Sequence, residues 1–211
     1  MEQRSNYETL CLRWAEQLKR YDTAHLLSLL PELRPDGDSL TIVHFGRTFR
    51  IDRDSGLITA LDGKPATIYE RLNIYTLLGY CRAGAAQTGR WVPFRDVSGA
   101  APFAPAFERS VLKPLAATFS GRPDALQTAA QALGGSPLPH SDSGALLHAF
   151  ACIPMQVLFW DGDDEFPAQA NILFDQGVTG FIHVESTVTL ASVGFLRLAE
   201  AAGLPPAGTT F

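Results

Sequence analysis

The chain has 211 residues, a formal net charge of −5 and 46% hydrophobic residues, values that fit one folded domain and argue against a disordered chain. At that size about 70% of the unfolded surface is buried on folding, so the core needs no disulfide or metal staple. The acidic balance argues against a phosphate-backbone binder, which needs a basic stripe, and no apolar run approaches the ~20 residues that span a bilayer.

Three cysteines, Cys11, Cys81 and Cys152, lie far apart and form no Cys-x-x-Cys pair. An odd, scattered set is expected in a reducing compartment. The start Met1-Glu2-Gln3-Arg4-Ser5-Asn6 is polar and leads into no apolar segment of a secretory signal. Together these features predict a soluble, cytoplasmic protein.

In chain order, Tyr7, Leu10, Cys11, Trp14 and Leu18 fall on one stripe and predict an amphipathic helix over 6–20. A short helix follows over 23–30 and stops before Pro31, and Pro35-Asp36-Gly37-Asp38 reads as a turn. The period then changes to two. Ile42 to Phe45, a tight turn at Gly46-Arg47, Phe49 to Asp52, a turn at Arg53-Asp54-Ser55-Gly56, and Leu57 to Thr59 make a three-stranded antiparallel meander. A helix is predicted over 66–82, with Ile68, Leu72, Tyr75 and Leu78 on its apolar stripe. Residues 83–102 read as irregular apart from an extended piece at Trp91-Val92-Pro93-Phe94. Helices are expected over 104–119, kinked or broken by Pro114, and over 123–133, stopped by Gly134-Gly135. A second strand block (146–151, 155–160 and 170–174) and a last helix over 185–202 complete the pattern, with 205–211 as a loose tail. Antiparallel meanders at about 39–61 and 145–175, packed by five or six helices, read as one α+β domain and not as alternating βαβ units.

Charge is unevenly spread. Residues 82–122 carry six bases and two acids, while residues 140–211 carry eight acids and one base. Either the acidic third presents a face for a basic partner or cation, or the two segments neutralise one another within the fold.

Two stretches concentrate chemistry. Asp161-Gly162-Asp163-Asp164-Glu165 falls between two predicted strands, and four carboxylates in a hairpin can bind a hard cation through oxygen. The spacing does not match an EF-hand, and like charges in water repel by under ~1 kcal/mol per pair, so a solvated turn explains the run equally. Trp160 and Phe166 flank it, either to hold a planar ligand or to close the strand ends as core. In Gly89-Arg90-Trp91-Val92-Pro93-Phe94-Arg95, Arg90 and Arg95 can clamp a carboxylate or phosphate while Trp91 stacks on a ring. The bland alternative is an Arg–Asp structural pair with Trp91 and Phe94 in the core.

His183-Val184-Glu185 sets two weak metal-ligand candidates, His183 and Glu185, on one side of a strand. The deaminase pattern that shares His-x-Glu needs a downstream Pro-Cys-x-x-Cys, which is absent, as is His-Glu-x-x-His. Glu185 at a helix start is explained by the helix dipole. The cysteines read as inert thiols. The sequence contains no nucleophile elbow, no Walker loop and no dinucleotide fingerprint.

The strings Thr88-Gly89-Arg90-Trp91-Val92-Pro93-Phe94-Arg95, Leu133-Gly134-Gly135, Ile153-Pro154-Met155 and above all Trp160-Asp161-Gly162-Asp163-Asp164-Glu165-Phe166-Pro167, followed by Asn171-Ile172-Leu173-Phe174-Asp175, resemble the domain-of-unknown-function family numbered 3786. The likeness covers about residues 8–200. It adds Asp175 to the candidates but implies no catalytic residue, because the family has no assigned activity. It also implies a setting in anaerobic bacteria and archaea, with iron–sulfur or corrinoid proteins as partners. Three scattered cysteines cannot hold a four-cysteine cluster, so any such cofactor would belong to the partner.

Three readings follow. The chain is a binding or accessory domain for a small molecule or a cofactor-bearing protein. Alternatively it is a small-molecule enzyme, using carboxylate acid–base or divalent-metal chemistry between the Arg90 loop and the acidic hairpin. The third is a structural module that forms a homo-oligomer. The first two require both loops to open on one concavity.

Overall fold

The computed structural model describes residues 6–208, and two runs of alternating side chains set its frame. In the first, β1 (Arg34–Asp36), β2 (Ser39–His44), β3 (Arg47–Asp52) and β4 (Ile58–Ala60) form an antiparallel sheet in chain order. Leu40, Ile42 and His44 of β2 and Phe49 and Ile51 of β3 are buried, while Val43, Thr48 and Arg50 face out, the period of two that a half-buried sheet requires. Residues 34–36, part of which reads as a turn in sequence, form an edge strand against Ser39–Thr41, a place where Pro35 removes no needed donor. The hairpin also turns one residue earlier than Gly46-Arg47 suggested. Phe45 and Gly46 hold φ of 45° and 75°, a mirror-image turn that closes on the pair His44 and Arg47. An aromatic residue in that region costs roughly 1–2 kcal/mol. Burial of the Phe45 ring and a 3.1 Å hydrogen bond from its N–H to the Ala149 carbonyl hold it there.

The second sheet runs β5 (Trp91–Pro93), β9 (Gln169–Asp175), β8 (Ile153–Trp160), β7 (Ser143–Phe150), β6 (Ser136–Pro137), all antiparallel. The two sheets meet at a seam between β2 and β7. His44 Nδ1 lies 2.7 Å from the same Ala149 carbonyl, and its Nε2 lies 3.2 Å from Asn73 Nδ2. Carbonyl acceptor and amide donor fix the tautomer: Nδ1 carries the proton and Nε2 accepts. The ring stacks on Phe150 at 4.4 Å.

Helices α1 (Asn6–Leu18), α2 (Thr23–Leu29), α3 (Ile68–Tyr80), α4 (Ala104–Phe107), α5 (Lys113–Phe119), α6 (Pro123–Ala132) and α7 (Val184–Ala201) fill the rest. A capping box of Thr67 and Glu70 starts α3, whose residues 72–78 are buried all round, not on one stripe. The buried Arg47 guanidinium reaches Glu70 at 2.6 Å and grips Asp62 with two bonds of 2.9 Å, which ties β3 to the start of α3. Among the described residues no helix is long and apolar enough to cross a membrane.

The helix expected over 104–119, kinked or broken by Pro114, is interrupted just before that proline. Between α4 and α5 the backbone widens into a π turn over Glu108–Leu112, in which the Lys113 N–H bonds the Glu108 carbonyl five residues back. The wide turn absorbs the missing N–H of Pro114 and the clash its ring would make in a regular α-helix. Ala207 N–H donates to Thr118 Oγ1 at 2.8 Å and anchors the described part of the expected loose tail; residues 209–211 lie outside the described residues.

Candidate functional site

The second sheet, with α4, the π turn and α5 crossing it, leaves one groove of about 1240 Å³. The acidic hairpin and Trp160 form one wall, the start of β9 forms the floor, and α4 to α5 and the turn after β5 form the other wall. The sequence expectation that the basic and acidic loops open on one concavity holds for part of each loop. Arg95, Trp160, Asp161 and Asp163 line the groove; Asp164 and Glu165, on the same hairpin, are exposed and outside its lining.

Arg90 and Trp91 lie elsewhere. They sit at the far end of β5, where Trp91 is half-buried opposite Asp175 and the Arg90 side chain is exposed. Phe94 is the buried aromatic of that segment, stacked on Phe107 at 4.2 Å. Asp175 holds the loop that leads into β5. Its oxygens accept N–H groups from Thr88, Gly89 and Gly177 at 2.7–3.0 Å and the Thr88 hydroxyl at 3.1 Å. Burial alone would raise this carboxyl, but those donors outweigh it and hold Asp175 below the usual carboxylate range. The clasp pins the Thr88 loop and thereby lays β5 along β9.

The hairpin folds on itself. Asp161 Oδ1 accepts Gly121 N–H at 2.8 Å and Gly162 N–H at 2.9 Å, and Asp161 N–H donates to Asp142 at 2.8 Å. Asp163 Oδ1 accepts the N–H groups of Phe166 and Glu165, each at 2.8 Å, and these bonds lower its pKa. Trp160 is 38% exposed and Phe166 61%, so the flanking aromatics do not close the strand ends as core. Opposite them stand Leu112, Ala116, Ala117 and the ion pair Lys113–Glu108 at 3.3 Å. This helical wall went unread in the sequence. Pro114 marks the irregular helix, but nothing local shows which face a π turn presents.

Among the described residues no ion pair joins the basic segment 82–122 to the acidic segment 140–211. Asp142, Asp161, Asp163, Asp164 and Glu165 have no cationic partner there. The pair His183 and Glu185 does not form a ligand set. His183 is the N-cap of α7, its Nδ1 accepts the Glu185 N–H at 3.3 Å, and its ring packs on Tyr80 at 5.2 Å. No group of three or more His, Cys, Asp or Glu able to hold a metal ion occurs among the described residues. All three cysteines are free thiols, and burial raises each above the ordinary thiol pKa, most strongly Cys152, where Glu32 adds to the effect.

A family model described as "Domain of unknown function (DUF3786)" matches residues 16–196. No curated protein and no solved structure matches this chain.

Proposed function

Since the chain belongs to the DUF3786 family, whose description names no activity, we propose from its geometry that it is a binding domain whose site is the groove between the acidic hairpin and α4–α5. The observation that carries this reading is the exposure of Trp160 and Phe166 beside carboxylates that no cation of the described chain neutralises. Exposed aromatics with convergent polar groups in a concavity are the general mark of a binding site. A positive group on an apolar body matches that wall. The alternative, carboxylate acid–base catalysis, needs one acid held neutral by burial next to one held ionised. Asp163 is exposed and lowered by backbone donors, which supports binding over proton transfer. A cofactor-bearing partner, the expectation drawn from resemblance, fits the same reading, because the groove can take part of such a protein.

The test uses a small aromatic cation. Tryptamine titrated into 15N-labelled protein should shift the amides of Gly121, Gly162, Phe166 and Asn171 together, and the Asp161→Asn, Asp163→Asn double variant should weaken that response about tenfold. If millimolar tryptamine shifts none of these amides, the groove is a dent in the surface and the reading fails.

A further inference from the structure

β9 is an interior strand along one half and an edge along the other. β5 pairs with it only from Leu173 to Asp175, because after Pro93 the chain turns into the short 3₁₀ segment Phe94–Asp96. β9 starts four residues earlier, at Gln169, so 169–171 have β8 on one side and the groove on the other. Residues of an antiparallel strand alternate the side to which they send both N–H and C=O. The bond from Gln176 N–H to the Arg90 carbonyl shows that even-numbered residues bond toward β5. Of these, Ala170 directs its backbone groups into the groove, whereas Ile172 is buried beyond its end. The Ile172 N–H is held by the Asn171 side chain at 2.9 Å, and no turn or loop backbone group bonds Ala170 among the described residues.

An open strand edge is complementary to one kind of object, another extended backbone. Proteins usually blunt such edges with Lys, Pro or a bulge; Gln169, Ala170 and Asn171 carry no charge, and the strand pairs with β8 in unbroken register. The charges at the two ends differ. Arg95 and Lys113 stand on the side of β5 and α5, while Asp161 and Asp163 stand at the hairpin. We propose that the groove takes an extended peptide of a partner protein, added antiparallel to β9 in line with β5, with a Lys or Arg side chain at its hairpin end. This rests on the groove being a binding site and names its occupant. Antiparallel addition in line with β5 starts the peptide beside Arg95 and brings its C-terminal half to the carboxylates. The favoured order is therefore an acidic or neutral residue first and a basic residue about four positions later, a span of roughly 13 Å at the strand rise.

The experiment titrates three capped pentapeptides into 15N-labelled protein: Glu-Thr-Val-Thr-Lys, its reversal Lys-Thr-Val-Thr-Glu, and the first N-methylated on its central residues. The first should bind, slow hydrogen exchange of the Ala170 amide at least tenfold and shift Asn171. The reversed peptide should bind about tenfold more weakly, and N-methylation, which removes the donors and leaves the side chains, should abolish binding. Ala170→Pro should also lose the peptide, with circular dichroism checking its fold; if that variant misfolds, the N-methylated peptide decides the same question. Equal binding of the N-methylated peptide, or no protection at Ala170, overturns strand addition. Equal binding of the reversed peptide overturns the assigned direction. Tryptamine binding without any peptide binding overturns this inference and leaves the groove a small-molecule site, whereas the silence of both overturns the binding reading itself.

Discussion

His44 is 1% exposed, and burial lowers its pKa to about 4, against the opposing pull of its bond to the Ala149 carbonyl. The unfolded chain takes up this proton near pH 6.5 and the folded chain does so only near 4, so falling pH favours the unfolded state across that window. Stability from this residue is complete above about pH 6.5 and should fall by about 3 kcal/mol as pH drops to 4. Denaturant unfolding of wild type and His44→Gln at pH 7.0 and 4.5 checks this. A wild-type midpoint that moves no more than that of the variant would refute it. Asp62, held at about 2 by Arg47, loses its contribution as pH falls from 3.8 through about 2, below the His44 window. Arg47 invites a second measurement. Arg47→Met strands the buried Glu70 and should cost about 3–5 kcal/mol, while pairing it with Glu70→Leu should recover much of that loss. Additive costs would show that the two side chains do not depend on one another.

The elements were legible where a period repeats over several residues. The helices α1 and α7, the two strand blocks and the Gly134 stop follow from spacing, and Gly134 closes α6 with φ of 77°, but Tyr7 and Leu10 of the expected α1 stripe are exposed while Ala15 is buried with Cys11 and Leu18. What escaped were decisions made by contacts distant in sequence. Phe45 turns left-handed because Ala149, 104 residues on, accepts its N–H, and α3 loses its polar face because sheets and helices enclose it. Docking of α1 makes the same point through two glycines with positive φ. A Cβ on Gly56, at φ 71°, would stand 2.1 Å from the Ala15 carbonyl oxygen, whereas one on Gly37, at φ 58°, would meet nothing within 4 Å. Gly37→Ala should cost only the left-handed penalty of about 1 kcal/mol, and Gly56→Ala about 3 or more because α1 must shift as well. Equal melting temperatures for the two variants would contradict this account of the packing.

At the scale of the whole molecule, the acidic hairpin was readable from composition and the groove was not. Trp160, Asp161 and Asp163 announce themselves as a cluster, but their facing wall is a helix widened by a π turn, a shape encoded in no short string. Arg90 and Trp91 lie at the end of β5 away from the groove, and Asp175 holds the Thr88 loop. The shared Ala149 carbonyl has a larger consequence. Two donors, His44 at the end of β2 and Phe45 in the turn after it, converge on one acceptor in β7, while Asn73 reaches His44 from a third region of chain. Neither half of the polypeptide owns that joint. A chain severed within residues 61–67 should give two pieces that are each unstructured by circular dichroism and that regain helix and strand signal on one-to-one mixing. An amino-terminal piece that keeps its strands in isolation would mean the halves are neighbours and not halves of one cooperative body.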